Sequence, residues 1–137
     1  MEDTLGRFRR AHDDDYETAL REIRAGRKES HWMWYIFPQL EGLGRSATAD
    51  YYAIRGREEA AAYWNDPVLS DHLTEICEAL LELDAPIRWI LGYPDYHKLR
   101  SCMTLFWLVT GEGIFMEVLD RFLDGVLDAY TVEKLNA

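Results

Sequence analysis

Asp95 and Lys98 stand three residues apart in DYHKLRSCMTLF, and Ser101 and Thr104 continue at the same step. On a helix this spacing keeps neighbours in reach of one another. A lysine beside a carboxylate and two hydroxyls suits a phosphate; desolvated, its amine could attack a sugar aldehyde. A plainer arrangement uses the same residues, with Asp95 capping the helix and Lys98 in solvent. A second group lies in SHWMWYIFPQLEGLGRS, residues 30–46. Trp32 and Trp34 offer flat, polarizable surfaces for a base or sugar, and His31 and Gln39 are polar neighbours. Gly42 and Gly44 permit close backbone approach, Arg45 brings a donor fork, and Ser46 opens a helix whose free N–H groups suit an anion. Together they could cradle a nucleotide-like phosphate. The competing arrangement puts both tryptophans in the core and makes GLG a helix-joining turn, because GxG alone is a weak motif.

The elements that must position these groups are mostly helical. Tyr16, Ala19, Leu20 and Ile23 recur at helical spacing after the acidic Asp13, Asp14 and Asp15, which suit a first turn, and Gly26 is a natural stop. Ser46 caps a helix that Gly56 divides from the alanine-rich REEAAAYW. Asp66 with Pro67 starts another, whose stripe runs through Leu69, His72, Leu73, Ile76, Leu80 and Leu83. Pro86 opens a short helix ended by Gly92, Asp95 caps the next, and Leu99, Met103 and Phe106 form its apolar face. GEG at 111–113 is a turn, Phe115, Val118, Leu119 and Phe122 mark a further helix, and Thr131 caps a last one. The run HWMWYIF is strand-like or helical; periodicity alone does not choose. The expected fold is mainly α, one compact domain spanning 1–137 with six to eight helices.

With 48% apolar and 13% aromatic residues in 137, the composition is that of a globular domain, not a disordered chain. A net charge of −10 argues against broad binding to nucleic acid or anionic lipid. Residues 1–60 carry 10 basic and 12 acidic groups, net −2, while 61–137 carry 5 and 13, net −8. That imbalance points an anion site toward the first half. Cys77 and Cys102 have no metal-ligand spacing and read as buried thiols, so neither metal nor cofactor is implied. No membrane-length apolar run or leader is present, and a cytoplasmic protein is expected. No catalytic elbow, zinc helix or phosphate loop occurs. No motif encodes an oligomeric state.

The stretches AGRKESHWMWYIFPQLEGLGRS, YYAIRGREEAAAYWNDPVLSDHL, LGYPDYHKLRSCMTLF and FMEVLDRFLDGVLDAYTVEKL resemble a family of small, mainly helical bacterial proteins of unknown function. Its members often carry the label calpastatin. The calpain inhibitor of that name is a long disordered chain, whereas this composition is that of a packed domain, so the label transfers no activity. Against the family pattern, Leu91 stands for a phenylalanine, Cys102 for a serine and His12 for a glutamine. More distantly the layout is similar to NADAR domains, named for NAD and ADP-ribose, which remove ADP-ribose from modified guanine. That likeness implies a small hydrolase of N-glycosidic bonds, with Lys98 as its lysine and Trp32 or Trp34 as platforms. The alternative is a non-catalytic domain that binds a small molecule or another protein.

Overall fold

The computed structural model describes residues 4–136, and among these the chain forms nine helices and no strand. Helix α1 spans Gly6–Arg24, α2 Met33–Ile36, α3 Ala47–Tyr51, α4 Arg57–Asn65 and α5 Pro67–Leu81. They are followed by α6 at Ile87–Ile90, α7 at Asp95–Thr110, α8 at Gly113–Phe122 and α9 at Ala129–Leu135. The aromatic run is thus helical for a single turn, which raises the count above the expected six to eight. A lone parallel bridge pairs Leu40 with Ile54.

Helix α1 begins two turns before the three aspartates, correcting the expected start. Phe8, Ala11 and His12 are buried like Tyr16, Ala19 and Ile23, so the inward stripe runs the helix's whole length. A long stripe against the core outweighs the preference of acidic residues for a first turn. Two caps follow the sequence. Asp66 accepts from the N–H groups of Val68 and Leu69 ahead of α5, and Ser46 accepts from Ala49 N–H ahead of α3. Two do not. Asp128, not Thr131, caps α9, and the Thr131 hydroxyl donates to that aspartate at 2.6 Å. Helix α7 is preceded by Pro94 with no side-chain cap, because the Asp95 carboxylate is engaged elsewhere.

Helix α7 is the centre of the molecule and packs on α4, α8 and α9. Six consecutive residues, 101–106, are buried, so no side of its middle turns meets solvent. The hydroxyls that this buries are satisfied along the helix: Ser101 donates to His97 O and Thr104 to Arg100 O. Thr104 also accepts from Asp128 N–H, fastening the start of α9. Around α7 the rings of Phe8, Tyr63, Phe106 and Phe115 pass from one helix to the next at centroid spacings of 5.1, 5.3 and 5.8 Å. Each buried ring of this size contributes about 1.5–3 kcal/mol. Cys77 and Cys102 are free, buried thiols. No helix among the described residues is long and apolar enough to cross a membrane.

Candidate functional site

The connection from α1 to α2 is wrapped around one buried carboxylate. Glu22 accepts from Glu29 N–H at 2.8 Å, Ser30 N–H at 2.9 Å, the Ser30 hydroxyl at 2.5 Å and the Trp32 indole N–H at 2.9 Å. Burial pushes its pKa up, but the bonds from Ser30, Glu29 and Trp32 outweigh it and hold the group at about 2. Trp32, 1% exposed, therefore sits in the core with its indole N–H satisfied. Its neighbour by two, Trp34, is half-buried.

A second support comes from α5. His12 Nε2 lies 2.8 Å from Tyr35 O, so it donates; His12 Nδ1 then accepts from His72 Nδ1–H at 2.9 Å. Both rings are thereby fixed as neutral tautomers. Burial holds His12 down at about 4, and burial lowers His72 as well. The Tyr35 hydroxyl donates to Asp15. These bonds pin the turn of α2 between α1 and α5.

On this support the two chemistry-bearing stretches meet. Lys28, just ahead of the aromatic run, places Nζ 2.8 Å from Asp95 Oδ2, and Lys98 places its own 3.1 Å from Oδ1. Lys28 Nζ is also 5.3 Å from the centre of the Trp32 ring, and Lys98 Nζ is 5.3 Å from that of Trp34. Both distances are within cation–π range. The side chains of Lys28, Asp95 and Lys98 are 10, 17 and 22% exposed, so the group is shielded yet reachable from solvent. Two ammonium groups on one carboxylate leave a formal charge of about +1. Asp95 is thus a bridge and not the expected cap. Lys28 had no sequence signal, since its partner belongs to a distant helix.

The other expected residues lie differently. His31 is exposed, and its carbonyl lies 3.2 Å from the Tyr35 hydroxyl, whose proton goes to Asp15. Ser101 and Thr104 are buried, with their hydroxyls committed to backbone. Gln39 is half-buried, and its backbone carbonyl accepts from Ile54 N–H at 2.9 Å. Arg45 is exposed, and Ser46 caps a helix of five residues. Gly42 has φ of +95°, and a Cβ there would strike the Tyr130 hydroxyl, while one on Gly44 would strike Ala49. Packing alone thus requires both glycines. Among the described residues no hydrogen bond, ion pair or ring contact joins the turn at 42–44 to Lys98.

Gly26 is the matched control for Gly42, with φ of +87° and open space where a Cβ would stand. Gly26→Ala is expected to cost about 1 kcal/mol for backbone strain alone. Gly42→Ala is expected to cost about 1–2 kcal/mol more, because Tyr130 must leave its bond to Glu41 O. Urea denaturation of the two variants side by side measures the difference.

The family described as "Protein of unknown function (DUF1810)" matches residues 2–135. The chain belongs to the DUF1810 family. Its structure is similar to the crystal structure of the conserved hypothetical protein Rv1873 from Mycobacterium tuberculosis. That chain is 40% identical, with a TM-score of 0.95 over 97% of this chain and 96% of that one. No curated protein matches the sequence. These findings establish a small helical DUF1810 protein of a family without assigned function; the calpastatin label and the NADAR likeness stand outside them.

Proposed function

We propose that this protein binds a small anionic ligand of the ADP-ribose or nucleotide class at Lys28, Asp95 and Lys98. The observation that carries the reading is the pair of ammonium groups held over two indole rings by one carboxylate. A ligand phosphate would take both lysines in exchange for Asp95, and a base or ribose would lie on Trp34, the less buried of the two rings. The NADAR likeness implies the ADP-ribose class, with Lys98 as its lysine candidate. The turn at 42–44 with Arg45 and Ser46 is left out, since packing on Tyr130 and Ala49 accounts for its glycines.

Hydrolysis of an N-glycosidic bond is the catalytic form of the same reading, with Asp95 drawing a proton from water and Lys98 at the ribose. Both Asp95 oxygens are already held by ammonium groups, so binding is favoured until a phosphate draws those groups away. The test is thermal denaturation with millimolar ADP-ribose, NAD, AMP and inorganic phosphate. At about ten times its Kd a ligand adds about 1.4 kcal/mol, a rise of roughly 4 °C. Wild type is expected to show the rise with ADP-ribose or a nucleotide, and Lys28→Met and Lys98→Met to lose it. A wild type that melts unchanged with all four ends the proposal. Chromatography of the same samples shows whether a base is released.

A further inference from the structure

The surface around Arg88 carries features that neither the core nor the Asp95 cluster explains. Two hollows of about 580 and 410 Å³ adjoin at Arg88. The larger is lined by Arg88, Arg100, Arg121 and Tyr96, with Asp84 and Asp124 among its walls. The smaller is formed by Arg27, Arg88 and Trp89. Three of the five basic residues in the strongly acidic half of the chain therefore line one trough, against the sequence expectation that positive charge would gather in the first half.

The guanidinium groups are of two kinds. Arg100 donates Nε–H to Val126 O at 3.1 Å, and Arg121 donates from Nη2 to Leu83 O at 2.7 Å. Arg121 Nη2 also lies 4.0 Å from Asp84 Oδ1, and both guanidinium groups keep further N–H donors on their other nitrogens. Arg27 and Arg88 have no side-chain hydrogen bond or ion pair among the described residues. Both are solvent-exposed, and in a chain of net charge −10 these unpaired cations beside anchored ones make a local positive surface that complements negative charge.

Beside them stand the most exposed large apolar side chains of the described residues, Trp89 at 73% and Tyr93 at 78%. Tyr93 joins Tyr96 and His97 in a surface ring cluster, with centroids 4.3–6.0 Å apart. A pocket for a small molecule encloses its rings, whereas these stand out from the surface and need to be covered from above. Trp, Tyr and Arg are the residues that dominate protein interfaces.

We propose that this face docks an acidic segment of a partner protein. Carboxylates of the segment pair with Arg27, Arg88 and the free edges of Arg100 and Arg121, and an apolar side chain between them lies on Trp89. Nucleic acid fits less well: its phosphates are evenly spaced and meet Asp84, Asp124 and a half-chain of net −8 as well as the arginines, whereas a peptide can set carboxylates on the arginines and apolar side chains elsewhere.

The test uses the full-length protein labelled with ¹⁵N, following the indole N–H resonance of Trp89 identified from a Trp89→Phe variant. The probes are a synthetic peptide of glutamates around a central Leu-Phe pair, the same peptide with lysines for glutamates, and an oligothymidylate. The glutamate peptide is expected to shift the Trp89 resonance, more weakly as salt rises. The double variant Arg27→Glu, Arg88→Glu is expected to raise its Kd about tenfold or more while the rest of the spectrum stays folded. Any of four results overturns the proposal: no shift at millimolar peptide, equal binding of the lysine peptide, tighter binding of the oligothymidylate, or unchanged affinity in the double variant. Repeating the titrations on Lys28→Met, Lys98→Met protein, which is expected to leave the Trp89 shift unchanged, separates these results from binding at the Asp95 cluster; loss of the shift in that variant also overturns the proposal.

Discussion

Glu22→Gln is expected to lower stability at pH 7 by about 3 kcal/mol, and Glu22→Ala by more. The first figure follows from the folded carboxylate's pKa, held at about 2 against its ordinary 4.5. Four hydrogen bonds stabilise the ionised form by that much more than the neutral one. Glutamine keeps the shape and one acceptor, and its amide can donate to the Ser30 hydroxyl, so what is lost is mainly charge. Alanine also strands the N–H groups of Glu29, Ser30 and Trp32, at about 1–3 kcal/mol for each donor that water does not reach. For a domain of this size the glutamine variant should melt roughly 10 °C lower. The sign with pH is fixed: a depressed carboxylate gives stability that is present above pH 4.5 and lost as pH falls through 2. Urea titrations of wild type and both variants at pH 7 and pH 3 check it. A glutamine variant as stable as wild type at pH 7 would show that the charge contributes nothing.

Acid should weaken the wild type earlier than Glu22 alone allows. The unfolded chain takes a proton on His12 below pH 6.5, while the folded protein resists until about pH 4. Stability is therefore full above pH 6.5 and falls by about 3 kcal/mol as pH drops toward 4. Burial of the charged ring is the main source of that resistance, and protonating His12 on Nδ1 would also set its N–H against the N–H of His72. His12→Gln should remove most of this loss. The glutamine amide can donate to Tyr35 O and its carbonyl can accept from His72, so neutral-pH stability should change by less than about 1.5 kcal/mol. The half-buried His72 leaves a residual slope. Urea midpoints in steps from pH 7.5 to 4.5 read the effect, and parallel curves for variant and wild type would refute the assignment.

What the sequence reveals of this fold is what neighbouring residues encode. Asp66 with Pro67, Ser46 ahead of Ala47 and the stripe from Leu69 to Leu80 are local signals that appear in the structure as read, whereas Leu83, the last residue of that stripe, lies beyond the end of α5 at Leu81. The start of α1 was misleading because three aspartates imitate a first turn while the burial of Phe8 and His12 depends on distant helices. Asp128 and Thr131 are both good capping residues three apart, and only the folded turn distinguishes them. Within the candidate site, Asp95 and Lys98 are joined by helical spacing and could be read. Lys28 and Glu22 could not: the first is placed by a carboxylate far along the chain, the second by a loop that folds over it.

The middle of α7 explains why DYHKLRSCMTLF is such a recognisable stretch. With residues 101–106 buried on every side, each position is judged by a different neighbour, and few substitutions can pass unnoticed. A segment without a free side is constrained by packing whether or not it performs chemistry. Its distinctiveness therefore marks kinship between proteins and says little about catalysis. Evidence of activity has to come from the accessible margins of this helix, where Asp95 and Lys98 stand.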